Sequence, residues 1–380
     1  MPAPKTLQHN WGTPPWVVDF QPPAPPLPRE ADFVIVGAGF TGLAAAAWLR
    51  LLDNAKSVVL LEAGRIGHGA SGRTGGMALA ETAAGNLPGL GDVLGGIEKI
   101  FAQLEVGCDL ALTGAWEISR KGERADSPIC WQDSGTLRVV NEVPGGTLDP
   151  GKLVSGLARA AHLRGALILE NHRVVDIAWS ERPVLRGWRG SAKDAVEITA
   201  GKILLATNGV SLELSGLSQG HPKLTLAAAT APLSAEQLQS LGLAANKPFY
   251  TENSFPYLWG RARPDRSIVW GAGLVDPPPS GNLEEVRVDS REPAEMFARF
   301  EKRVRGLHPA TANVEFTHHW GGPILFRDNW EPVFDLHPKS RNALVIGAFA
   351  GHGVALSNYL GAWAAEFLLG RRSLPTWGKL

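Results

Sequence analysis

Two cysteines in 380 residues, Cys108 and Cys130, are too few for a disulfide scaffold, and a reducing compartment is the default for such a chain. An excess of either charge is missing as well. Lys plus Arg and Asp plus Glu both number 37, so net charge gives no argument for nucleic acid. The amino end, MPAPKTLQHNWGTPPWVVDF, lacks the apolar core of a secretory signal. The most apolar stretch, DFVIVGAGFTGLAAAAWLR (32–50), is interrupted by three glycines and closed by Arg50, which leaves it short of a comfortable bilayer crossing. A cytoplasmic protein with no nucleic-acid partner and no integral membrane segment is therefore expected. No Ser/His/Asp or Cys/His system stands out. His318 and His319 would diverge in a strand, so no metal is expected there.

Glycine (44), proline (28) and tryptophan (13) are plentiful. Nine prolines in the first 28 residues bar an ordinary helix and leave polyproline or irregular backbone. Trp11, Trp16 and Phe20 give that arm apolar surface with which to pack onto the body. A composition of 44% apolar and 19% charged residues suits one large fold or two interlocked domains with real cores.

The three glycines of the apolar stretch have a physical reading. Phe33 to Val36 is a continuous apolar run suited to a buried parallel strand, and LAAAAWLRLL after Gly42 has strong helix propensity. Gly37 permits the sharp turn, Gly39 lets a pyrophosphate approach the backbone, and Gly42 lets the helix sit close to the sheet. The first-turn amides, around Phe40 and Thr41, then face the phosphates. A second buried strand, residues 58–61, ends in Glu62, which can accept hydrogen bonds from the hydroxyls of an adenosine ribose and would repel a 2′-phosphate. After it, AGRIGHGASGRTGGM is a long glycine-rich segment able to wrap a bulky polar group, unlike the prompt return to helix of a plain nicotinamide domain.

GAGFTGLAAAAWL, LEAGRIGHGASGRTGG and the late GAFAGHGVALSNYLGAWAAEFLLG together resemble the FAD-dependent amine and amino-acid oxidoreductases. These are the D-amino-acid oxidase-like, or glycine/sarcosine oxidase-like, flavoproteins, and the motifs are nearest to the gamma-glutamylputrescine oxidase branch. The likeness is strong over residues 31–80 and 317–370 and diffuse between them. It implies an α/β fold, α+β overall: a Rossmann-like FAD-binding domain, discontinuous in sequence, and a substrate domain on a large mixed or antiparallel sheet. The expected division is a proline-rich arm (1–30), FAD-binding pieces at 31–98, 149–225 and 327–380, and substrate-domain pieces at 99–148 and 226–326.

The resemblance also implies which residues meet FAD, expected to be non-covalently held since neither cysteine lies in a flavin-facing motif and His68 comes early in the loop. They are Gly37, Gly39, Phe40, Thr41 and Gly42; Glu62, Ala63, Gly64 and Arg65; and Gly69, Ala70, Ser71, Arg73, Thr74, Gly75 and Gly76. Val174 and Val175, Thr207, Asn208 and Gly209, and Gly321 follow, and then Gly347, Gly351, His352, Gly353 and Val354. A structural role is open for Asn208, as for His352. The start of the last helix would aim free N–H groups at the flavin pyrimidine, where negative charge collects on reduction. That helix places Leu356, Leu360, Trp363, Ala364 and Phe367 for one buried face.

The implied activity is oxidation of a primary or secondary amine to an imine by hydride transfer to the flavin, with hydrolysis of the imine afterwards. Amino-acid-oxidising relatives place an arginine just ahead of a proline to grip a carboxylate, whereas this chain has His319-Trp320-Gly321-Gly322-Pro323. That favours an amine, although Arg261 or Arg263 could hold an acid, and an amino-acid or N-methylamino-acid oxidase or dehydrogenase stays open. Arg327 is read as supporting the fold. His352, Trp320, Tyr257 and Trp270 are the candidate catalytic and pocket residues, with Tyr250, Phe255 and Trp259 as further walls. Oxygen is the expected acceptor, giving hydrogen peroxide. The strand SIVWGAG lacks the lysine that promotes oxygen reactivity in sarcosine-oxidase-like relatives, so a dehydrogenase remains possible. A third reading is a flavoprotein with a binding or biosynthetic role.

Overall fold

The apolar run after Asp32 forms the end of the strand Glu30–Val36 at the heart of an eight-stranded sheet. A computed structural model of the protein describes residues 11–123, 125–190, 194–217, 219–251 and 256–380. Glu30–Val36 pairs in parallel with Val58–Leu61 on one side and with Asp194–Leu205 on the other. Ala343–Gly347 joins in parallel beyond Asp194–Leu205, and Leu167–Leu169 beyond Val58–Leu61. Such strands are buried on both faces, which is why they read as unbroken Val/Ile/Leu runs.

Three helices cover one face. The first, Phe40–Leu52, packs against the last, Gly353–Leu368, and against Pro150–Leu163, while Val93–Leu104 lies on the last helix. Gly361 sits where the two longest-buried helices touch. A Cβ there would meet the Thr41 carbonyl oxygen at 2.6 Å. The expected single buried face of the last helix needs correction: Ala355, Leu356, Ser357, Asn358 and Gly361 are buried together with Leu360 and Trp363, and Phe367 is only half-buried. A helix sandwiched between other helices has no solvent side to leave polar.

The second sheet also has eight strands, with Phe316–Phe326 and His221–Thr230 at one end. Across it, Asn141, Glu117, Tyr250, Trp259, Gly271, Ala227 and Trp320 stand opposite one another in one row. This row faces the glycine-rich segment, because Trp259 abuts Gly75 and Trp320 donates its indole N–H to the Arg73 carbonyl at 2.8 Å. The neighbouring row, with Trp116, Phe249 and Trp270, turns to the other side and builds a core with Trp131 and the helix Arg291–Leu307. Side chains alternate along a strand, so this register sets the faces of the residues beside the row, up to the irregularities at Thr225, Ala229 and Glu117. Residues 263–266, Arg-Pro-Asp-Arg, turn between the strands Trp259–Ala262 and Ile268–Val275, and Asp265 accepts there from the Ser267 amide and hydroxyl.

No helix among the described residues is long and apolar enough to cross a membrane. Cys108 is buried, with its thiol pushed up to about 12 by that burial, and Cys130 is exposed. Arg327 supports the fold as expected, donating to the Lys379 carbonyl at 2.7 Å.

Candidate active site

A long cavity runs along the carboxyl ends of the parallel strands, where the chain crosses from Glu30–Val36 to its two neighbours. Ligands of open α/β sheets bind at such switch points. Its wall is made by Gly37, Gly39, Phe40 and Thr41, then Glu62, Ala63, Gly64, His68, Gly69, Ala70, Ser71, Arg73 and Thr74. Val174, Thr207, Asn208, Gly351, Gly353 and Val354 complete the expected set that lines it.

Both long helices that meet there begin without a side-chain cap: Gly39 precedes the first and His352 the last. Uncapped first-turn amides carry partial positive charge and need acceptors. At the first helix the Phe40 amide finds Ser71 Oγ at 2.9 Å, and the cavity lies beside it. Gly37 has φ +105°, and a Cβ on it would lie 2.6 Å from the Ala206 oxygen, so only glycine fits that turn. The Glu62 carboxylate accepts from the Ala38 and Gly64 amides, each at 2.8 Å. Burial pushes its pKa up while those amides oppose the rise.

Two hydroxyls in the cavity wall, Thr207 Oγ and Ser357 Oγ, are buried without a hydrogen-bond partner. Orphaned hydroxyls cost free energy unless a ligand pairs with them. With the uncapped helix starts and the Glu62 carboxylate, they suit a ligand that carries phosphate at one place and polar groups along its length. Asn208 has the structural role left open for it, since its Oδ1 accepts from the Ala348 amide at 2.9 Å and ties two strand ends together; it lines the cavity too.

Other expected residues stand elsewhere. Arg65 faces a second cavity between the arm and the glycine-rich segment. Val175 is exposed, because it alternates with Val174 along the strand His172–Ala178. Gly209 and Gly347 lie behind Asn208, next to Ile324 and Leu217, and Gly322 rather than Gly321 reaches the wall. Gly75 and Gly76 sit just past it, with Gly75 against Trp259 and Gly76 against the Leu148 carbonyl and Arg261.

The expected pocket walls divide by register. Trp270 is corrected: it is fully buried in the core on the far face of the second sheet. Trp320 faces the near side but is fully buried, with Trp16 edge-on at 5.4 Å, and does not open onto the cavity. Tyr257 is 41% exposed and also lines no cavity wall, while Phe255 lies outside the described residues.

His352, between Gly351 and Gly353, does not itself line the cavity, and its pKa is pulled below the ordinary 6.5 chiefly by burial. Its Nδ1 lies 3.3 Å from the Ala350 carbonyl, which can only accept, so the proton sits on Nδ1 and Nε2 keeps its lone pair.

Sequence reasoning named Tyr250 as a pocket wall but missed its partners Glu81, Glu117 and Asn141 at the near face of the second sheet. Tyr250 Oη lies 3.1 Å from Glu81 Oε1 and 3.1 Å from Glu117 Oε1, and Asn141 Nδ2 donates to Glu117 Oε2 at 3.1 Å. Neither carboxylate has a Lys or Arg partner among the described residues. Tyr250 and Glu117 are nearly fully buried, and burial with the two carboxylates holds the phenol's pKa well above the ordinary 10. One phenol proton cannot serve two carboxylates, so the trio has one donor too few. Arg261, also buried, donates among the described residues to the Gly75 and Leu148 carbonyls, and burial pulls its pKa down to about 10. The alternation of the strands was the available signal, but it gives faces only once the pairing is known.

Comparison with known proteins now has a geometry to meet. The chain matches the model of the family described as FAD dependent oxidoreductase over residues 32–367. The probable oxidoreductase OrdL of Rhizobium meliloti (strain 1021) is 26% identical over 390 residues, covering 92% of this chain and 85% of that protein. The gamma-glutamylputrescine oxidoreductase of Escherichia coli (strain K12) is 25% identical over 379 residues, covering 89% and 84%. Among solved structures, glycine oxidase from Geobacillus kaustophilus aligns with a TM-score of 0.70 at 19% identity, over 91% of this chain and 96% of that one. L-proline dehydrogenase from P. horikoshii gives 0.70 at 16%, over 91% and 95%. These structural likenesses establish the fold. Since the match runs from the strand ahead of Gly37 to the helix behind Gly353, both ends of the cavity fall within it, and the chain belongs to the FAD dependent oxidoreductase family, an enzyme with FAD as cofactor.

Proposed function

We propose that the protein oxidises a primary or secondary amine at its C–N bond. The observation that carries this reading is the Glu81–Tyr250–Glu117 trio: it lines neither cavity, but its two carboxylates have no Lys or Arg partner among the described residues and meet at the sheet face that abuts Gly75. A positively charged amine supplies the missing donors and offsets part of the negative charge. The chemistry a bound FAD would supply is hydride acceptance from the carbon that bears the nitrogen. Its diphosphate suits the amides at Gly39 to Gly42, its ribose Glu62, and its redox ring the start of the last helix at Gly353 and Val354.

The chain's own residues then have defined tasks. The acidic trio orients the ammonium, and Glu81 or His352 Nε2 takes its proton, since only the neutral amine has a lone pair to support imine formation. Trp259, packed between Gly75 and Gly271, excludes water from the face of the sheet. Hydrogen peroxide formation by oxygen remains the preferred fate of the electrons.

An amino-acid substrate is the second reading, favoured by Arg261. A buried guanidinium held by carbonyls could also meet a substrate carboxylate. Anaerobic titration of the yellow protein with polyamines, aromatic amines and amino acids separates the two. Bleaching by amines is expected, with colour returning when air is admitted. Bleaching by amino acids alone transfers the assignment to Arg261, and colour that returns only with an added acceptor makes the enzyme a dehydrogenase.

A further inference from the structure

The family match begins at residue 32, yet the chain ahead of it reaches the cofactor cavity. Trp11 is fully buried and forms part of the cavity wall. Its main chain is fixed from two sides. The Gly321 amide donates to the Trp11 carbonyl at 2.7 Å, and Arg73 Nη1 donates to the Gly12 carbonyl at 2.7 Å. Gly12 takes φ +71° there, and a Cβ on it would lie 2.1 Å from the His319 oxygen, so the path of the arm admits only glycine.

The Trp11 ring stacks on His68 of the glycine-rich segment, with centroids 6.5 Å apart, and the Arg73 guanidinium lies 5.6 Å from its centre. Its indole N–H donates to the Leu283 carbonyl at 3.0 Å. Glu284, the next residue, closes on Arg173 through two hydrogen bonds of 2.6 and 3.1 Å. Arg73, Trp11, Glu284 and Arg173 all line the cavity, so a belt of contacts crosses it from the glycine-rich segment to the strand His172–Ala178. Five residues on, Trp16 donates to the Gly72 carbonyl at 2.7 Å and fastens the arm again.

We propose that the stretch from Trp11 to Trp16 is a strap that closes the FAD site, and that Trp11 is a cofactor-binding residue supplied from ahead of the matched region. A ligand enclosed by such a belt leaves only when the belt opens, so the strap acts on the dissociation rate. Trp11 packs with Leu224 and Val275 and Trp16 with Ala227 and Trp320, all on the second sheet, while the Trp16 hydrogen bond to Gly72 ties the same stretch to the glycine-rich segment.

The test is the rate at which the purified holoprotein releases FAD after dilution, read from the recovery of free-flavin fluorescence, in Trp11→Ala and Trp11→Phe. The alanine variant is expected to release FAD about tenfold faster than the parent, the scale of one lost aromatic contact and hydrogen bond. Trp11→Phe, which keeps a ring but loses the N–H to Leu283, should fall between, and it decides the matter should the alanine variant not fold. The melting temperature of the flavin-free form is measured beside it. Release within twofold of the parent rate in the variants that fold overturns the proposal. So does a drop in melting temperature that is equal with and without FAD, which would make the arm a structural brace alone.

Discussion

Gly39→Leu is expected to give a folded, colourless protein. Gly39 has φ −83° and ψ −173°, ordinary extended backbone for any residue. A Cβ there meets only Ser71 Oγ, at 2.8 Å, a side chain that can rotate away. The fold therefore loses little: the Ser71 acceptor of the Phe40 amide, worth about 1 kcal/mol. The added side chain, however, stands in the cavity wall beside the uncapped helix start, where the diphosphate must approach main chain. Flavin content below about a tenth of the parent's is the expected result, with the melting temperature of the flavin-free form nearly unchanged. Gly42→Val makes the contrast. Its Cβ would lie 2.0 Å from the Gly37 carbonyl oxygen, main chain that cannot yield, so about 3 kcal/mol or more of stability should go with it. Full flavin retention by Gly39→Leu would show that the diphosphate lies elsewhere.

Glu117→Gln should separate substrate recognition from cofactor binding. The change keeps shape and leaves an oxygen for Tyr250 or Asn141, but removes a nearly buried negative charge. Where a charged group pairs with a buried ion, losing it costs about 1.5–3 kcal/mol. For amines kcat/KM should fall about 10- to 100-fold, while flavin content and the melting temperature stay at parent values. Tyr250→Phe should show a smaller loss, because both carboxylates remain and are no longer bridged. An unchanged kcat/KM for amines in Glu117→Gln would remove the trio from the substrate site and strengthen the claim of Arg261 and an acidic substrate.

The cofactor half of this site was legible in the sequence because its chemistry is carried by main chain and by local order. Gly37, Gly39 and Gly42 act within one turn, and Glu62 lies at the end of the next strand, so spacing alone brings them together. The last helix could be recognised for the same reason: Gly353 and Val354 follow a buried strand directly. The substrate half was legible only in part. Tyr250 and Trp259 stand out as aromatics close in sequence, but Glu117 joins Tyr250 only through a strand pairing between residues far apart in the chain, and no local pattern states that register. Trp270 shows the cost of that gap. One position along from Val269, it turns to the opposite core, although its sequence surroundings look no different. Trp320 reads as a pocket residue, yet it is covered by Trp16, which arrives from a proline-rich arm more than three hundred residues earlier.

The most direct test of the account is diffraction from crystals grown with FAD. The account predicts the diphosphate within hydrogen-bonding reach of the amides at residues 39–42, a ribose on Glu62 and the redox ring beside Gly353 and Val354. A well-ordered protein that holds only a nicotinamide nucleotide in that cleft, or FAD with its diphosphate away from the first helix, would contradict it.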